Sequence, residues 1–201
     1  MSRESTAWHE AGHLAAGILV GAKIAPEGAD IRQVHWQNGQ AHVYTPLDET
    51  AIREAWWTVT AGGQVDPVTR DAIERACYVS LAGYPTEAVA EQRGFIAPVP
   101  VIDSAAPAHR TRWLAAINSA EPKPTGDSEA VDELLAWLCT RADEQSAYRR
   151  VLELRTDWMV RSNPRFWPLA QAFAAALLDH DEISGADITA LAAQVEGGQP
   201  V

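Results

Sequence analysis

The chain has 201 residues, with 16 basic and 27 acidic side chains and a formal charge of −11. A surface that acidic repels phosphate backbones and anionic bilayers, which argues against a nucleic-acid or membrane partner. Hydrophobic residues make up 47% of the chain, enough for the core of one domain.

The first segment, residues 3 to 21, has a helical period. Ala7, Ala11, Leu14 and Ile18 recur at offsets of four, three and four, and Gly21 can close the helix in left-handed geometry. Its apolar stretch from Leu14 to Val20 is far shorter than the roughly 20 residues that span a bilayer. Pro26 and Gly28 mark a loop after it. The period then changes to two, with Val34 and Trp36 before Asn38-Gly39 and Ala41 and Val43 after it. An Asn-Gly pair between alternating segments predicts a hairpin, Trp36 facing Ala41, Val34 facing Val43, and His35 opposite His42 on the polar side.

The rest reads as helix. Segments run from Asp48 to Ala61, ended by Gly62-Gly63, and from Pro67 to Leu81, interrupted by Gly83 and Pro85. A short helix over 86–92 is followed by a loop over 94–107, rich in proline, and a helix over 108–119. From Asp127 the helical pattern continues to about Arg161, with an interruption near 141–146. Two last helices cover about 165–179 and 185–195. The expectation is a mainly α fold with one small β-hairpin, a single domain over 1–195 and a flexible tail over 196–201. The first residues contain no apolar signal segment, and Cys77 and Cys139 are too few for a disulfide framework, so a cytoplasmic location is expected.

Chemistry concentrates in the first helix, at His9-Glu10-Ala11-Gly12-His13. On a helix, residues i and i+4 share a face, so both imidazoles can converge on one cation. With His9 as origin, His13 lies about 40° round the axis and Glu10 about 100°, so the carboxylate flanks a metal without ligating it. Zinc is the metal such a pair favours, and it takes a third protein ligand when it is catalytic.

The run Thr6-Ala7-Trp8-His9-Glu10-Ala11-Gly12-His13 resembles the active-site helix of peptidase family M41, the FtsH-type zinc metallopeptidases. Leu81-Ala82-Gly83-Tyr84-Pro85-Thr86-Glu87 is similar to that family's Leu-Ala-Gly-x-x-Ala-Glu helix, with Thr86 in place of Ala, and 167–185 is similar to its C-terminal helices. The resemblance implies a helical, zincin-like metallopeptidase domain that cuts peptide bonds, with Zn2+ on His9 and His13 and Glu10 as the general base. It also implies a third ligand, an aspartate at the start of a later helix. Asp127 in Gly126-Asp127-Ser128-Glu129-Ala130 fits best, although the same residue suits an N-cap. Asp132 is the next choice, ahead of Glu129 and Glu87, and Glu87 can instead orient a zinc histidine.

No Walker A motif accompanies these segments, so the expected substrates are peptides, unfolded segments or loops of proteins, unless an ATPase acts in trans. The reading from another class is a binding or regulatory module that keeps the zinc site without cutting. His109 reads as surface, His180 as a charge at a helix C-terminus, and the eight tryptophans as core and contact residues.

Overall fold

The computed structural model describes residues 2–32, 40–44, 49–96 and 127–198. The fold is mainly α: the described residues form eight helices and one small antiparallel sheet. Helix α1 (Arg3–Val20) starts where the Ser2 hydroxyl accepts the Ser5 N–H, and it ends at Gly21, whose φ is 72°. Every residue from Ser5 to Gly17 is buried. A helix buried on all sides forms the centre of its fold, and the others pack round it.

Strand β1 (Lys23–Asp30) follows directly and pairs on one side with β2 (Gln40–Tyr44). A loop was expected where β1 runs. The strand was hidden because its register shifts between Ile24 and Ala29, at a bulge holding Pro26 and Gly28, and a bulge breaks the two-residue period. Val43 and Ala41 pair with Ile24 and Ala29, and their expected pairing with Val34 and Trp36 falls on residues outside those described. The Asn38-Gly39 turn and residues 33–39, with the His35–His42 apposition, lie outside the described residues, as does the helix expected over 108–119.

Helix α2 (Glu49–Thr60) precedes α3 (Pro67–Leu81), where Asp66 caps the Val68 and Thr69 amides and Pro67 takes the first helical position. Helix α4 (Gly83–Gln92) is separated from α3 by Ala82 alone. It was expected to start at Thr86. Pro85 does not interrupt it, because a first-turn residue has no intrahelical partner for its N–H.

Helices α5 (Asp127–Ala136) and α6 (Ala142–Ser162) are separated by a bend over 137–141, slightly before the interruption expected near 141–146. Helix α7 (Phe166–His180) ends at Asp181, with φ of 61°. Strand β3 (Glu182–Ile183) then pairs with β1, completing the order β2-β1-β3, before α8 (Gly185–Glu196). Two residues are too short for any periodic signal, so β3 was not anticipated.

Two apolar clusters hold these elements. One gathers Leu14 of α1, Phe166, Leu169, Phe173 and Leu177 of α7, and Ile188 of α8. On the other side, Ile73 and Cys77 of α3 pack with Val131 and Leu135 of α5 and Leu152 of α6. Cys77 and Cys139 are free thiols. No described helix is long and apolar enough to cross a membrane. Helix α1 passes close to α4: a Cβ on Gly12 would lie 2.5 Å from the Thr86 hydroxyl oxygen, so only glycine fits that crossing.

Candidate metal centre

The N-terminal half of α1, the start of α4 and the start of α5 meet at one point. His9 and His13 project from adjacent turns of α1, their rings 4.8 Å apart and inclined by 77°. Asp127, the first residue of α5, brings its Oδ2 to 2.9 Å from His9 Nε2 and 3.3 Å from His13 Nε2. These three side chains are the only group of metal-ligand type found among the described residues, with donor atoms all within 4.8 Å of one another.

The backbone fixes how the rings face. His13 Nδ1–H donates to the Val79 carbonyl at 2.7 Å, and a carbonyl only accepts, so Nε2 faces Asp127: it donates to that carboxylate while the ring is protonated and offers its lone pair to a metal once that proton leaves. His9 Nδ1 is buried without a hydrogen bond, with Glu87 Oε2 at 3.6 Å. The Ser5 hydroxyl donates to the other oxygen of that carboxylate. Glu87 therefore lies behind His9, on the side away from Asp127, where it can accept the ring's second N–H if the gap closes. Gly83 completes the site. A Cβ there would lie 2.6 Å from His9 Nε2 and 2.8 Å from His13 Nε2, so the backbone of α4 touches both donor atoms.

Donors in a tetrahedral zinc shell stand about 3.3 Å apart, which follows from bond lengths near 2.0–2.1 Å. The separations from Asp127 match that spacing, and two neutral imidazoles with one carboxylate form a donor set zinc accepts. The group could hold a metal ion.

Asp132 does not take part. It is half exposed, and its carboxylate pairs with Arg149. Glu10 is 6% exposed, and no hydrogen bond reaches it among the described residues. Burial raises its pKa, opposed by the neighbouring imidazoles of His13 and His9. A cleft of about 270 Å³ opens on Asp127, walled by Leu81, Tyr84 and Pro85 on one side and by Arg149 and Glu153 of α6 on the other. The Tyr84 ring stands edge-on to His9 at 4.7 Å. Val79, Tyr84 and Arg149 had no signal of their own in the sequence, because a carbonyl contact or a cleft wall requires no particular residue type.

Protons compete for the same donors. Burial, the largest influence, pushes the His9 pKa down, but the Asp127 and Glu87 carboxylates outweigh it and raise it from 6.5 to about 9. For Asp127 burial acts upward, and hydrogen bonds from His13 and His9 hold it well below the usual carboxylate range. The protonated His9 thus stabilises the metal-free fold fully below about pH 6.5, and that contribution is lost as pH rises through about 9. A metal ion needs the neutral imidazole. Its affinity is expected to climb about tenfold per pH unit for each proton displaced, up to about pH 9. Zinc titrations with a competing chelator across this range check it, and a flat profile between pH 6.5 and 9 contradicts it.

No family model matches the chain, and neither a curated protein nor a solved structure matches it.

Proposed function

We propose that the chain is a zinc metallopeptidase of the FtsH type that hydrolyses peptide bonds in unfolded segments or loops. The observation that carries this reading is the meeting of His9, His13 and Asp127, from helices 118 residues apart in sequence, beside a buried glutamate. Three protein ligands, none of them cysteine, describe a catalytic zinc shell rather than a closed structural one.

His9, His13 and Asp127 would hold the ion. Zinc bound there supplies Lewis acidity, which acidifies water and polarises a carbonyl. Glu10 takes the proton from the attacking water and passes it to the leaving amine nitrogen. A buried carboxylate with a raised pKa is suited to holding that proton between the two steps. The cleft beside Asp127, with its walls of Leu81, Tyr84 and Pro85, accommodates an apolar side chain next to the cleaved bond.

Among the described strands, β2 stands at one edge of the order β2-β1-β3 and lies against α1. An extended peptide can add to such an edge through backbone hydrogen bonds. Proline replacements within 40–45 are therefore expected to raise KM for peptides severalfold while zinc content stays intact; an unchanged KM contradicts this placement of the substrate.

The decisive assay is peptide hydrolysis by the zinc-loaded chain and by Glu10→Gln. Hydrolysis that the variant loses supports the enzyme. A zinc-loaded chain that binds peptides equally well with either residue and cuts none is a binding module.

A further inference from the structure

Helix α6 is apolar on two opposite faces. Leu152, Thr156 and Val160 are buried against the body of the protein. On the far side Val151, Leu154 and Trp158 are 42%, 53% and 66% exposed. With exposed Ala147 they follow offsets of four, three and four, the spacing of the seam between two packed helices. Trp158, at one end of this seam, is of a residue type enriched at interfaces.

We propose that a second copy of this chain packs here, α6 against α6, antiparallel about a two-fold axis between Val151 and Leu154. Charge and size select this occupant and this direction. Arg150 and Asp157 are two turns apart on one flank of the seam. Antiparallel packing sets Arg150 of one copy near Asp157 of the other, twice by symmetry. Parallel packing turns this flank towards the partner's other flank, setting Arg150 against Arg155 and leaving Asp157 without a cation opposite it. The antiparallel register also places Trp158 across from Ala147, a large residue against a small one, and brings Arg161 towards Glu144. The pairs these groups now make, Arg150–Glu153 and Arg161–Asp157, lie on the surface of one helix and rearrange at low cost.

The test uses the full chain in sedimentation equilibrium from about 1 to about 100 μM, the range in which a seam of a few apolar side chains dissociates. The wild type is expected to form a dimer, and Trp158→Glu and Leu154→Lys to weaken it at least about tenfold while their circular dichroism is unchanged. Arg150→Asp weakens it as well, and Arg150→Asp combined with Asp157→Arg restores it. A wild type that stays monomeric throughout overturns the proposal. So does a dimer that survives Trp158→Glu, or a double charge reversal that restores nothing.

Discussion

Gly83→Ala is expected to leave the helices formed and to lower zinc affinity by about 10–100-fold, the range typical of disturbing the groups that orient metal ligands. The added methyl would stand 2.6 Å from His9 Nε2 and 2.8 Å from His13 Nε2, well inside van der Waals contact with both donors. Neither ring has an easy retreat. His13 is held by the Val79 carbonyl, and both side chains are buried on a helix packed on all sides. Helix α4 could shift instead, but Gly12 against Thr86 leaves no slack at that crossing. Overpacking of this kind typically costs about 1–3 kcal/mol, so the fold survives while the site does not. Zinc titration beside circular dichroism decides the matter; affinity equal to wild type would show that the backbone of α4 does not shape the site.

Glu10→Gln carries the larger effect. It is expected to keep zinc binding within a few fold and to reduce kcat for peptide hydrolysis by about 100–10,000-fold, the usual contribution of a positioned proton-transfer group. The amide is nearly isosteric with the carboxylate but cannot accept the proton. Stability is expected to rise slightly or stay the same, because a buried charge is removed. Kinetics and zinc content measured on one preparation check both parts. Full activity with glutamine would remove Glu10 from the chemistry and leave proton transfer to another group.

How much of this could be read in the sequence varied with the kind of contact. The His9–His13 pair was legible because four residues of helix fix its geometry, and α1 runs over Arg3–Val20 with its cap at Gly21. Asp127 was reachable only through resemblance, since nothing local ties it to a helix 118 residues earlier, yet the structure brings it to both imidazoles. Strand β1 was missed because a bulge interrupts its alternation, and β3 because it is two residues long. Gly83 was noticed as a helix interruption, whereas its role is a close approach between helices, which leaves no periodic trace. The second apolar face of α6 was also invisible. Apolar residues on both sides of a helix flatten the very periodicity by which a face is recognised.

The central claim is that His9, His13 and Asp127 hold zinc. It is tested most directly by elemental analysis of the chain purified without added metal, beside a His9→Ala, His13→Ala variant. The account predicts about one zinc per wild-type chain and almost none in the variant. A folded wild type that carries no metal and takes up no zinc on titration would contradict it. The histidines and the aspartate would then be a buried ion-pair cluster, and the proposed peptidase would lose its centre.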